Sequence, residues 1–410
     1  MANYQGVWKL NTQYQAIGSQ NWPMQPSIPL NVTATAGVGQ AIIAFTPPAF
    51  SGVPAVVTQY RVVSTPEGIV TVGTDSPIVV TGLTNLTSYS FSIQATNGVQ
   101  FGEASTNANT IPVNASRGVY AGGLSQTNVI GTFQINSGSG ENSADFGDLI
   151  SSFAFYNASC SSSTRSIFIG GNSGSGTYHN RMEYVTIAGE GGSTDFGALK
   201  AVSTNQGNQF GSYFGAACSS ATRGVILRAQ VGASQEVVDI TYITIAATGS
   251  DTDFGDLSRV AQYAGAVSSP TRGVFMVNQG NLNMEYVTIA STGNSVTFGS
   301  IGVYSTGGPS GAGDSTRGLF VTGGSNSIRH LTFATTGTAE DFGNLTTVSQ
   351  GQAFMSDSVY AVRAGGYNGT IHTNTMDRVT ISTLGDAVDF GDITEDNYGF
   401  SGSSDSHGGL

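Results

Sequence analysis

Paired carboxylates are the first residues in this sequence that could do chemistry. Asp145-Phe146-Gly147-Asp148 sets two of them three residues apart, and so do the stretches ending at Asp256 and Asp392. Such pairs suit calcium ligation or the acid and base roles of glycoside hydrolysis. A catalytic pair should be unique, however, and Asp-Phe-Gly recurs at 195–197 and 341–343, with Thr297-Phe298-Gly299 as a degenerate copy. Repetition favours a structural role, with each Asp beside a Gly turn bonding nearby backbone amides. His179, His330, His372 and His407 fall at different repeat positions, so no histidine metal centre is expected. His407 reads as a replacement for a repeated arginine. Cys160 and Cys218 each precede an arginine by five residues, where Val267, Ala312 and Phe354 stand in other repeats. They read as buried free thiols. No phosphate-binding Gly-Lys-Ser/Thr loop, His-Glu-x-x-His, Cys-x-x-Cys or Gly-x-Ser-x-Gly elbow occurs. No catalytic residue, cofactor or metal is expected.

Binding chemistry is easier to place. Three stretches break the repeats with aromatics set among polar and amide side chains. They are the insertion with Tyr178, His179 and Arg181, the link with Asn208, Gln209, Phe210, Tyr213 and Phe214, and the last-repeat loop with Tyr367 and His372. Flat apolar faces rimmed by hydrogen-bonding groups suit sugars. Residues 1–25 hold Tyr4, Trp8, Tyr14 and Trp22, both tryptophans of the chain among them, with no convincing period. Such aromatics commonly anchor interfaces, so this segment is expected to be a docking arm.

Composition excludes other classes. Only 10% of the 410 residues are charged, 57 are Gly, and the net charge is −12. A nucleic-acid binder needs a cationic surface, and anionic lipid would repel this chain. No apolar run is long enough to span a bilayer, and no secretory signal is expected. A hydrophobic share of 39% still demands a core.

The elements that carry these residues are β throughout. Residues 26–113 alternate at period two between Pro and Gly clusters, as a sandwich does. Residues 114–410 hold six repeats, with landmark phenylalanines at 146, 196, 254, 298, 342 and 390. Nine residues before five of them ends a strand pattern such as Tyr184-Val-Thr-Ile187. Arg117, Arg165, Arg223, Arg272 and Arg317 open strands, and Val359-Tyr-Ala-Val is the sixth copy. The arginines are expected to meet turn carboxylates of neighbouring repeats, and the phenylalanines to pack between repeats. Four strands per 45–50 residues is propeller-blade spacing. The tail Tyr398–Gly408 aligns without gaps on Tyr263–Gly273 and should supply the strand that the first repeat lacks. The expected fold is a sandwich followed by a six-bladed β-propeller closed by strands from both ends of the repeat region.

Two resemblances follow from these residues. Residues 26–113 resemble a fibronectin type III domain through Pro47-Pro48, Tyr60, Gly82-Leu83 and Tyr89-Ser-Phe91-Ser-Ile93, with Phe45 where Trp is common. Tyr89 falls at that family's tyrosine corner. The repeats resemble the kelch-like Asp-Phe-Gly-Asp-Leu repeats of tailed-phage tail-fibre and appendage proteins, notably those of phages that infect cyanobacteria. The resemblance implies a virion protein that docks through its arm to other virion proteins and presents its repeats to a host glycan or receptor. A purely structural decoration, collar or baseplate subunit is the alternative, and a glycan depolymerase a third reading.

Overall fold

The computed structural model describes the chain except residues 1–8, 19–23, 38, 54–55, 86, 113–115, 125–127, 138–140, 151–154, 173–177, 205–206, 210–212, 214, 232–234, 262, 278–281 and 304–306. It divides into two compact units, 1–115 and 116–410. Tyr4, Trp8, Trp22, Phe210 and Phe214 lie outside the described residues.

The first unit holds the one α-helix among the described residues, Leu10–Gly18, in a segment whose sequence shows no helical period. Leu, Gln and Ala favour it locally and Gly18 ends it. Leu10 and Tyr14, one turn apart, are both 69% exposed. The rest is two antiparallel sheets. One orders Leu30–Gly37, Gln40–Thr46 and Ile78–Thr81; the other orders Val70–Gly73, Gln59–Thr65, Tyr89–Thr96 and Ala108–Thr110. Alternate residues Ile43, Val62, Phe91 and Ile93 face a shared core. The Tyr89 hydroxyl accepts the Thr84 N–H at 3.0 Å and donates to Glu67 at 2.5 Å. Phe45 packs on Tyr60 with ring centroids 4.6 Å apart.

The second unit is built from six four-stranded antiparallel sheets. Sheet 2 runs Ala158–Ser161, Arg165–Ile169, Arg181–Thr186, Thr194–Ala198, in chain order. Sheets 3 to 6 repeat that order from Ala216–Ser219, Ala264–Ser268, Ser310–Gly313 and Ala353–Ser356. Sheet 1 takes its first strand, Phe400–Ser404, from the end of the chain and pairs it with Arg117–Gly122. The six first strands lie against one another in cyclic order, sheet 6 against sheet 1 and sheet 1 against sheet 2.

Three sets of bonds stitch neighbouring sheets. Innermost, Ser219 Oγ donates to Ser161 O, Ser161 Oγ to Ser404 O, Ser404 Oγ to Ser356 O and Ser356 Oγ to Gly313 O, at 2.5–2.8 Å. Further out, Arg117, Arg165, Arg223, Arg272 and Arg317 donate to the carbonyls of Ile187, Ile245, Ile289, Phe333 and Ile381 in the next sheet. The arginine partners are thus backbone carbonyls, not the expected carboxylates. In sheet 6 the cation has moved one strand over. Tyr360 holds the arginine register, and Arg378, 4.5 Å from the Tyr360 ring, donates to Ser137 of sheet 1. Arg165, Arg223 and Arg272 make the mirrored stack on Tyr184, Tyr242 and Tyr286. At the rim, the Phe146, Phe196, Phe254, Phe298, Phe342 and Phe390 carbonyls accept N–H groups of Gly191, Gly249, Gly293, Gly337, Gly385 and Glu141.

This rim changes the meaning of Asp-Phe-Gly. It lies inside the outer strand, with a register shift after Asp or at the matching partner residues, and is not a turn. Its Phe packs on the next sheet, as Phe196 does on Ile226, Ile243 and Ile245. Its Gly is required because the next sheet's loop passes close by. A Cβ at Gly197 would stand 2.2 Å from Gly249 O.

Two registers also shift by one residue. Met355, not Phe354, occupies the Cys160 position, and Tyr360, not Val359, that of the arginine. In the tail, Ser404 pairs with Gly118 as Ser268 pairs with Gly273, so His407 misses the arginine register. Cys160 and Cys218 are free and buried. Burial pushes the Cys160 thiol up to about 12.

Candidate functional site

Aromatic residues precede four of the six first strands. Phe155 and Tyr156 stand before Ala158–Ser161, Tyr213 before Ala216–Ser219, Tyr263 before Ala264–Ser268, and Tyr398 before Phe400–Ser404. Because those strands neighbour one another, their leading rings converge. Tyr156 is the hub, with centroids 4.5 Å from Phe155, 5.7 Å from Tyr213, 6.1 Å from Tyr398 and 6.2 Å from Tyr263. Tyr178, between the second and third strands of sheet 2, meets Tyr213 edge-on at 5.5 Å. From sheet 6, His372 stacks on Tyr398 at 4.5 Å and Tyr367 lies 5.7 Å from it. All eight rings are half-buried.

The backbone under these rings is strained. Tyr156 and Tyr263 have φ of +51° and +56°, a left-handed conformation that bulky residues avoid. Such geometry persists only where surroundings impose it. Here Tyr156 N–H donates to Gly399 O, Gly399 N–H to Gly351 O and Gly351 N–H to Gly308 O. These glycines make room for the rings. A Cβ on Gly399 would lie 2.2 Å from Phe155 Cε2, and one on Gly308 would lie 2.9 Å from Tyr156 Cε1.

Below the rings is a cavity of about 90 Å³ between the starts of the first strands, with Asn157, Ser159, Ser310, Gln352 and Ser401 in its wall and no Asp, Glu, Lys, Arg or His among the described residues that line it. A second, of about 60 Å³, lies at the other end of the same strands. There the tail turns in. His407 Nε2 is 3.2 Å from Ser161 O and from Ser219 Oγ, and Gly408 N–H donates to Gly313 O. Burial raises the pKa of Tyr156, Tyr213, Tyr263 and Tyr398, with neighbouring tyrosines adding to it at Tyr156, Tyr213 and Tyr398. Their hydroxyls therefore stay neutral.

Of the residues singled out in the sequence, Tyr178, Tyr213, Tyr367 and His372 come together here. His179 follows Tyr178, donates its N–H to Gly171 O, and has its pKa lowered by burial and by Arg181. Arg181 is directed to Glu183 at 3.7 Å instead. Asn208 and Gln209 lie on Gly207–Gln209, a strand paired with Val202–Thr204. Of the four aromatics expected to dock, only Tyr14 is described, exposed on the helix Leu10–Gly18. Phe155, Tyr156, Tyr263 and Tyr398 escape the sequence reading. Their signal is an aromatic one to three residues before four of the six Ala/Gly/Ser-rich strands, visible once the strands are aligned. Among the described residues no cluster of three His, Cys, Asp or Glu side chains could hold a metal. The arrangement offers stacking faces and neutral hydrogen-bonding groups, which suits binding of a polar, uncharged ring. No family model matches the chain, and no curated protein matches its sequence.

Proposed function

We propose that residues 116–410 form a six-bladed β-propeller whose tyrosine-rich mouth binds a neutral glycan on a host cell surface. The chain as a whole is read as a tailed-phage appendage protein. In this reading residues 1–25 dock on other virion proteins and a fibronectin type III-like domain serves as spacer. The observation that carries the binding role is the convergence of eight half-buried rings from five sheets above an uncharged cavity. Stacking faces of this kind lose little on meeting a sugar, and one weak site per chain gains strength when a virion displays many copies. The virion assignment rests on the resemblance of the Asp-Phe-Gly repeats, and the exposed Leu10 and Tyr14 side chains support the docking role.

The test uses the full chain and the host's cells. Adsorption that falls at least tenfold in Tyr398→Ala and Tyr213→Ala is the expected result. Adsorption unchanged by both substitutions would remove the mouth from the reading. Defective virion assembly without any adsorption would favour a structural subunit. Release of reducing ends from host polysaccharide would favour a depolymerase. Deleting residues 1–25 should leave folding intact and abolish incorporation into particles.

A further inference from the structure

The cavity under the tyrosines holds polar atoms that no described residue bonds. Gln352 is 3% exposed and Asn157 is 6% exposed. Gln352 gives its Nε2 to Ser310 Oγ at 2.8 Å, and Asn157 gives its Nδ2 to Ala121 O at 3.3 Å. Among the described residues the remaining oxygens, Gln352 Oε1 and Asn157 Oδ1, have no partner, nor does the buried Ser401 Oγ. All three residues line the same cavity. Leaving a buried acceptor unmet is costly, so a site with several of them is made for a ligand or water that donates. Among the described residues the wall carries no carboxylate to neutralise a buried ammonium or metal ion. The matching donors are therefore neutral, and the hydroxyls of a sugar are the ones that fit the glycan reading.

Size and shape narrow the ligand further. At about 90 Å³ the cavity has room for the hydroxyl-bearing edge of one sugar but not for a chain. The tail covers the other end of the same strands, where His407 and Gly408 are bonded across Ser161, Ser219 and Gly313. Building on the glycan reading, we infer that the mouth captures a chain end. One terminal uncharged sugar puts its hydroxyls onto Gln352, Asn157 and Ser401, and the sugars behind it lie against the outer rings of Tyr178, Tyr367 and His372.

The test measures binding of the full chain to an array of neutral linear oligosaccharides built from glucose, mannose, galactose or xylose. Each is tethered once by its reducing end and once by its non-reducing end, beside cyclic glucans that have no ends. The expected result is binding in one tethering orientation only and none to the rings. Gln352→Met should weaken it about tenfold or more. Ser401→Ala, a smaller change, should weaken it in the same direction, and the thermal transition of each variant shows whether it has folded. Binding that ignores orientation, or that survives both substitutions, overturns end capture and makes the cavity a water site, while the glycan reading stands. No binding to any glycan overturns both.

Discussion

The tail beside the second cavity should act as an acid-sensitive clasp. His407 Nδ1 accepts the Gly409 N–H at 3.0 Å, while Nε2 faces the Ser161 carbonyl at 3.2 Å. The ring is thus neutral with its proton on Nε2, and a second proton on Nδ1 would set N–H against N–H. Burial pushes its pKa down from 6.5 to about 4, against the opposing pull of the Ser161 carbonyl. Between those values the unfolded chain binds a proton that the folded one refuses. Stability is full above pH 6.5 and is lost as pH falls towards 4. At about 1.36 kcal/mol per pKa unit, the loss is about 3 kcal/mol. Asp239 works the other way. Burial raises its carboxyl to about 6, so its contribution is lost as pH rises from 3.8 through 6. A raw pH profile mixes the two, so the comparison is with His407→Gln, whose side chain can still donate to Ser161 O but does not titrate. Tryptophan fluorescence would follow the wrong unit, since Trp8 and Trp22 both lie before residue 116. Hydrogen exchange of peptides from residues 116–410 across a urea series gives the stability of the right one. The wild type should lose about 3 kcal/mol relative to the variant between pH 7.5 and pH 4. A difference that stays flat to within about 0.5 kcal/mol would refute the clasp.

Three further outcomes follow from the packing between and within these sheets, each read as a urea midpoint shift for the second unit. Gly299→Ala puts a Cβ 1.8 Å from Gly337 O at φ +156°, and should lower stability by more than about 2 kcal/mol. Gly337→Ala, which meets nothing within 4 Å, should change it by less than about 1 kcal/mol; equal losses would contradict the close-approach argument. Phe254→Ala removes a side chain 2% exposed that packs with Phe275, Val287 and Ile289, at a cost of about 3–5 kcal/mol. Arg363 and Asp377 form a fully buried ion pair, so Arg363→Met should cost about 3–5 kcal/mol, and adding Asp377→Leu should restore much of it.

Much of the framework is legible along the chain. The Asp-Phe-Gly spacing and the Tyr-Val-Thr-Ile strands announce a repeated four-stranded unit. Phe146 and its copies read as packing residues because a large apolar side chain at one register needs one kind of pocket. The tail reads as a missing strand because its composition matches the Ala/Gly/Ser-rich strands elsewhere. Neighbour order along each strand carries this information, and sequence keeps neighbour order.

Partners across sheets are another matter. Arg117 and its copies bond carbonyls, and every residue has a carbonyl, so no side-chain signature marks the acceptor. The exchange of Arg and Tyr between strands in sheet 6 keeps the stack at 4.5 Å while erasing the linear pattern. His407 stands one residue from the register that a gap-free alignment assigns it, and that shift turns it from an arginine substitute into the clasp on Ser161. Tyr156 and Tyr398 lie 242 positions apart in the chain but 6.1 Å apart at the mouth. By itself the sequence determined the repeating sheet and its packing residues, because local alternation and spacing dictate them. Only the tertiary structure decided which rings and orphaned oxygens share one mouth, because that depends on the sheets meeting in a cycle rather than on any one of them.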